Sequence, residues 1–227
     1  MLFRSLLGSE HHVQPAVVTF TQATEMGTLY SIDEIQALCA LAHEMGLLVH
    51  MDGARIPNAV AALGGTTAAL RAMTFDAGVD VLTFGGTKCG AVFGEAVVFA
   101  RPELATRAKY IRKQTTQLHS KMRFISAQYC ALLEDELFID LGRRANDAAR
   151  QLFEAVRDIG TLNLTLPPQV NSVFPRLTDP AKSALQEWSF FWDWDVSASL
   201  VRWMTAWDTS PADVERFAAG VREALSN

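Results

Sequence analysis

Leu47–Arg55, LLVHMDGAR, and Val79–Lys88, VDVLTFGGTK, decide how this chain is read. Each is a short apolar run that stops at glycine beside chemistry. The first runs into Asp52, Gly53, Ala54 and Arg55, and the second into Gly85, Gly86, Thr87 and Lys88. Apolar runs of this length bounded by glycine read as strands buried on both faces, and the helical stretch between them predicts a parallel βαβ unit. Ligands of open α/β sheets sit just beyond the carboxyl ends of such strands. An acid, a guanidinium and a lysine are therefore expected to converge on one crevice.

Working outward, Val17–Phe20 reads as a strand leading into a polar loop, Thr21 to Gly27. Ser31 and Glu34 form a capping box, and Ile35, Leu38, Cys39 and Ala42 keep helical spacing up to Gly46. On the other side, Pro57 opens a short helix that ends at Gly64-Gly65, and Thr66–Met73 makes another helical turn or two. Glu95–Ala100 is a further apolar run, and Pro102 begins a predicted helix through about Gln117. Lys121–Leu133 and Phe138–Ile159 read as two more helices, the second amphipathic through Leu141, Ala145, Ala148, Ala149 and Leu152. From Thr161 the texture changes to β-type runs, Leu162–Leu166, Val173–Leu177, Phe190–Asp195 and Ser199–Met204, broken by Pro167-Pro168 and Asp179-Pro180. A last helix runs from Pro211 to Leu225. The expected fold class is α/β: a large domain over residues 1–135, then a smaller α+β domain over residues 136–227 that includes its connecting helix.

The 227 residues are 49% hydrophobic, enough for one sizeable core and a smaller second unit. A net charge of −5 and a pI near 5.5 leave no basic footprint for nucleic acid. Cys39, Cys89 and Cys130 form no C-x-x-C pair, which favours a reducing cytoplasm. Met1–Gly8 is too short for a signal core or a membrane span. His11 and His12 lack companions at metal-ligand spacing, so no metal is expected. The five tryptophans read as packing residues.

An Asp at one strand end and a Lys at the next suit pyridoxal 5'-phosphate (PLP), whose aldehyde the lysine amine captures while a carboxylate keeps the pyridine nitrogen protonated. Small residues around Lys88 would let a flat ring approach the backbone. HMDGAR at 50–55, VDVLTFGGTK at 79–88 and VRWMTAWDT at 201–209 closely resemble the threonine aldolase family of aspartate aminotransferase-like enzymes. The resemblance runs from about Gln14 to the C-terminus. It implies an incomplete PLP-dependent transferase (fold type I) large domain, because the family's phosphate-binding turn and ring-stacking aromatic lie upstream of the position matching Met1.

The same resemblance implies Lys88 and Asp52 as the catalytic and cofactor-binding pair, with Arg55 and Arg202 as ligands of the amino-acid carboxylate. Thr87 could donate to the cofactor phosphate. His50 shares a strand face with Asp52 and could line the pocket, and Gln22, Thr24 and Glu25 could border the cofactor. Lys121 and Arg123 could supply positive charge to a phosphate of a neighbouring subunit. Each has a plain alternative: Lys88 as a surface lysine in a glycine turn, Asp52 as a helix cap, Arg55 as its salt-bridge partner, Arg202 as a rim arginine stacked on Trp203, His50 as a core histidine, Thr87 as a packing residue, Gln22, Thr24 and Glu25 as ordinary loop polarity, Lys121 and Arg123 as a solvated face. Cys89 stands where the family has asparagine, which would remove an amide beside the lysine.

The expected activity is cleavage of L-threonine or L-allo-threonine to glycine and an aldehyde, by a homodimer or homotetramer with a small amino-acid substrate and no nucleic-acid or membrane partner. The alternatives are an impaired fragment that survives by pairing with another chain, and another PLP-dependent amino-acid β-lyase. Val17–Phe20 and Glu95–Ala100 are expected to be sheet edges, which recruit partners.

Overall fold

In the computed structural model, which describes residues 8–164 and 166–226, the two glycine-bounded runs form neighbouring parallel strands. Of the Met1–Gly8 stretch, only Gly8 falls within the described residues. β1 (Val17–Thr21), β2 (Leu48–Gly53) and β3 (Val81–Gly85) run parallel, and β4 (Glu95–Phe99) is antiparallel, in the order β1-β2-β3-β4. β1 and β4 are the edges, with Val17, Val97 and Val98 exposed. The runs are not buried on both faces, as their apolar content suggested. Val49 and Met51 are fully buried, whereas Leu48, His50 and Asp52 lie half-buried on the other side. One face of the sheet carries the core, and the other is only partly covered.

α1 (Ile32–Glu44) crosses from β1 to β2 and opens on the expected capping box. Ser31 Oγ accepts from the Glu34 N–H at 3.2 Å, and Glu34 Oε2 accepts from the Ser31 N–H at 2.8 Å. α2 (Ile56–Ala62) and α3 (Thr67–Met73) cross from β2 to β3. The long helix expected after Pro102 is broken: a 3-10 turn, Pro102–Ala105, precedes α4 (Ala108–Thr116), and neither buries a residue that would hold them in line. α5 (Met122–Leu133) leads to α6 (Leu137–Val156), which joins the two halves of the molecule. Its Phe138, Ile139 and Leu141 enter the core of the first sheet, while Ala148, Ala149, Leu152 and Val156 enter the second.

α2 lies hard against α6. A Cβ at Gly142 would stand 2.4 Å from the Pro57 carbonyl oxygen, so only glycine admits this approach. The buried Asn58 and Asn146 side chains lock it: Asn58 Nδ2 donates to Asn146 Oδ1 at 3.0 Å, and Asn146 Nδ2 donates to the Asn58 carbonyl at 2.9 Å. Buried amides satisfied in this way specify one register of packing.

The second sheet is antiparallel, in the order β5 (Asn163–Leu164), β7 (Pro175–Arg176), β9 (Leu200–Met204) and β6 (Ser172–Val173), with β8 (Trp192–Asp195) also on β9. The run expected as one strand at Val173–Leu177 is split at Phe174, and Pro175 has no N–H to give the ladder. Asp179-Pro180, read as a break, opens α7 (Asp179–Gln186), since proline is tolerated in a first helical turn. α8 (Pro211–Ser226) closes the chain. The tryptophans are not one packing set: Trp203 is buried, whereas Trp188, Trp192 and Trp207 are exposed. No helix of the described residues is long and apolar enough to cross a membrane.

At the sheet end remote from the strand tips, the buried Asp80 ties three elements together. Its carboxylate accepts from the Val49 N–H, His43 Nε2 and an Arg101 guanidinium nitrogen, each at 2.9 Å. Burial pushes this carboxyl up, but hydrogen bonds from His43 and the Val49 N–H, with the charges of His43 and Arg101, outweigh it and hold it below the ordinary 3.8. Its stabilisation is therefore complete above the ordinary carboxylate value and lost as pH falls through the lowered folded value. Asp80→Ala is expected to cost about 2–3 kcal/mol in urea unfolding at neutral pH, and the deficit against wild type should shrink as the medium is acidified; a deficit constant with pH would refute this role.

Candidate active site

β2 and β3 pair with Asp52 opposite Thr83, so the chain leaves both strands on the same side of the sheet. The exits touch. A Cβ at Gly85 would lie 2.7 Å from Ala54 Cα and its carbonyl oxygen, and one at Gly86 would lie 2.7 Å from the Tyr129 hydroxyl. The glycines before Lys88 thus admit the neighbouring strand exit and Tyr129, a different need from the approach of a flat ring. The Tyr129 hydroxyl lies 3.1 Å from the Phe84 carbonyl oxygen and 3.0 Å from that of Gly94, and donates to one at a time. Burial, with the charge of Glu95, pushes its phenol up to about 12.

Asp52 is half-buried at the tip of β2. Its Oδ1 accepts from the Ala54 N–H at 2.9 Å, and its second oxygen has no hydrogen-bond partner among the described residues. Arg55 begins α2 with its Nε buried and without an acceptor. Lys88 stands exposed on a 3-10 turn, Thr87–Cys89. Partial burial, then the charge of Arg55, draws its amine below the ordinary lysine range, while Asp52, Glu25 and Glu95 oppose the shift. Burial, then Arg202, draws Arg55 down, opposed by Glu25 and Asp52. Strand pairing brings Asp52 and the turn bearing Lys88 to one end of the first sheet, within reach of the charges of Arg55 and Glu25.

Arg202 comes from β9 in the second sheet. Its side chain is 15% exposed, and its Nη1 lies 3.6 Å from Glu25 Oε2. Its guanidinium lies 4.3 Å over the ring of Trp194, not of Trp203, which faces the second core. Arg202 Nε, like Arg55 Nε, is buried without an acceptor. Trp194 gains its position from a bulge: the β8–β9 register shifts between Asp193 and Asp195, and the extra residue re-aims its side chain. No local pattern in the chain announced this tryptophan.

Gln22, Cys89 and Thr87 each meet groups of the protein itself. Gln22 is fully buried, with Nε2 donating to the Tyr30 carbonyl at 3.0 Å and Oε1 accepting from the Tyr30 N–H at 3.1 Å, so its amide braces a loop and is not offered to a cofactor. Cys89 is turned into the core, its Sγ 4.0 Å from the Phe138 carbonyl oxygen and its thiol pushed up to about 12 by burial, so this position presents no group beside the lysine. The exposed Thr87 hydroxyl donates at 3.4 Å to the Gly94 carbonyl. His50 is on the half-open face with Asp52, and its Nε2 lies 2.9 Å from Thr83 Oγ1. Among the described residues, no group of three or more His, Cys, Asp or Glu could hold a metal ion. The constellation is an amine of lowered proton affinity, a carboxylate with a free oxygen, and two guanidinium groups whose Nε atoms lack acceptors. It suits an anionic ligand that also carries a carbonyl and a basic ring nitrogen.

Residues 3–179 match the model of the family described as beta-eliminating lyase. The low specificity L-threonine aldolase of Pseudomonas sp. (strain NCIMB 10558) is 44% identical over 218 residues, covering 95% of this chain and 62% of that protein. The low specificity L-threonine aldolase of Pseudomonas aeruginosa is 43% identical over 214 residues, covering 93% and 60%. A threonine aldolase structure from Leishmania major superposes with a TM-score of 0.84 at 28% identity, over 96% of this chain and 63% of that one. The chain thus spans less than two-thirds of the length of each. The architecture is the mixed α/β fold of fold type I PLP enzymes.

The charges around Lys88 set the sign of a direct test. Arg55→Gln should raise the Lys88 pKa towards the ordinary 10.5 and Asp52→Asn should lower it further. An NMR titration of the isotopically methylated amine reads both; shifts of the opposite sign, or none, would place Lys88 outside the crevice.

Proposed function

The chain belongs to the beta-eliminating lyase family, and from that premise we propose that it supplies the lysine, the ring-facing acid and the carboxylate-binding arginines of a PLP-dependent aldehyde-lyase. The reaction is aldol cleavage of L-threonine or L-allo-threonine to glycine and acetaldehyde. The observation that carries this reading is the meeting of Lys88 and Asp52 at adjoining strand tips with two guanidinium groups whose Nε atoms have no acceptor.

When bound, PLP supplies an electron sink for the pair released as the carbon–carbon bond breaks. The chain's own residues do the rest. Lys88 Nζ, its proton affinity lowered, would hold the cofactor through its aldehyde carbon. The open oxygen of Asp52 would hold the protonated ring nitrogen of the cofactor, and the Ala54 N–H fixes the orientation of that carboxylate. Arg55 and Arg202 take the substrate carboxylate between them, which relieves their mutual repulsion and fixes which bond at the α-carbon stands ready to break. Thr87 precedes Lys88 on its turn and His50 shares the half-buried face of β2 with Asp52, which supports both as neighbours of the cofactor.

We assign residues 1–135 to the large domain and 136–227 to the small one with its connecting helix, supported by the two separate cores. A reducing cytoplasm fits three unpaired cysteines. A homodimer or homotetramer is supported by exposed apolar side chains at Val92, Phe93, Tyr110, Ile111 and Phe124.

Adding PLP should produce a visible absorption band that Lys88→Ala lacks, and the wild type should release aldehyde from L-threonine and L-allo-threonine. Arg55→Gln and Arg202→Gln should each raise KM for L-threonine by about tenfold or more, the loss expected for a hydrogen bond to a charged group. A band that survives Lys88→Ala would end the assignment of the lysine. Sedimentation should give a dimer or tetramer, and a monomer at micromolar concentration would overturn the oligomer reading.

A further inference from the structure

Arg202 already has an anion beside it. Glu25 comes from the loop between β1 and α1, on the first sheet, and reaches across to the arginine of the second. That loop is fastened on every side. Gln22 clasps Tyr30 through both ends of its amide, the Thr24 N–H donates to the Thr28 carbonyl at 2.9 Å, and the Leu29 N–H donates to Gln169 Oε1 at 2.7 Å. Trp194 Nε1 donates to Met26 Sδ at 2.9 Å, and a Cβ at Gly27 would stand 3.1 Å from Ser172 Cβ. The backbone under Glu25 is therefore fixed, but its side chain is 63% exposed and its 3.6 Å separation from Arg202 is beyond a good hydrogen bond. An acid held in place at its root and loose at its tip can leave the arginine at small cost. Trp194 would stay behind to keep the guanidinium plane in position.

We propose that Glu25 is a specificity-determining residue: a resident carboxylate at Arg202 that competes with the carboxylate of the incoming amino acid and must swing towards solvent as that group binds. The inference rests on the reading of Arg55 and Arg202 as the carboxylate site. Two carboxylates cannot share one guanidinium edge without repulsion, so binding is the exchange of one for the other. Ligands without a carboxylate leave Glu25 where it is. Ligands with a second carboxylate meet the displaced Glu25 still tethered beside the site, and are disfavoured.

The test compares L-threonine with isopropanolamine, which is threonine without its carboxylate, by calorimetric binding to the chain. Glu25→Gln should tighten L-threonine roughly two- to fivefold, the range of a solvent-exposed ion pair, and leave isopropanolamine unchanged. Glu25→Asp, which keeps the charge, should stay near wild type, and adding Arg202→Gln to Glu25→Gln should abolish the gain. Thermal melts of each variant separate binding from folding. If Glu25→Gln leaves L-threonine binding unchanged or weaker while Arg202→Gln still weakens it, the competitor role is wrong and the carboxylate site stands. If Arg202→Gln has no effect, or no form binds L-threonine, both fail.

Discussion

The contact between two strand exits governs the whole site. Gly85 passes the Ala54 backbone with no room for a side chain, so β2 and β3 must leave the sheet together and their next residues must share a space. That contact brings Asp52 and the turn bearing Lys88 to one end of the sheet, and the seating of α2 on α6 at Gly142 is a second close approach. The Asn58–Asn146 pair extends the constraint to the helix that joins both cores. The chemistry stands on rigid elements, which is what preorganisation requires.

Charge accounts for how the crevice is finished. Arg55, Lys88 and Arg202 are three positive groups, and Asp52, Glu25 and, towards Lys88, Glu95 oppose them with negative charge. Arg55 and Lys88 are both drawn down by burial and by a like-charged neighbour, so each holds its proton less firmly than it would in water. The Nε atoms of Arg55 and Arg202 are buried without acceptors.

Local pattern was enough for the residues whose role is set within a few positions. Ser31 and Glu34 announce their capping box, Pro57 and the Gly64-Gly65 pair bound α2, and alternation along β2 sends His50 and Asp52 to one face. What escaped that pattern depends on contacts distant in the chain. Trp194 is aimed at Arg202 by a bulge whose existence rests on pairing with β9, and Met26 meets Trp194 across 168 positions. Gln22 looks like a site residue until Tyr30 folds back onto it, and Cys89 looks like an altered site residue until α6 arrives to cover it. Amide and thiol side chains read identically in sequence whether they face a ligand or a backbone, so only tertiary context divides them.

That division bears on which substitutions the site tolerates. The position after Lys88 faces the Phe138 carbonyl and a core cluster, so its demand is for size and low polarity, and cysteine meets it as a small apolar group. The positions around Arg202 answer to a different demand, the alignment of a charged plane, in which Trp194 supplies a surface and Glu25 a removable counter-charge. A chain can therefore lose an amide beside Lys88 without disturbing the crevice, yet a change at a bulged tryptophan in the other sheet would tilt Arg202, the arginine we propose for recognition of a carboxylate. Distance from the lysine is a poor guide to importance here; what counts is whether a side chain sets the direction of a charge.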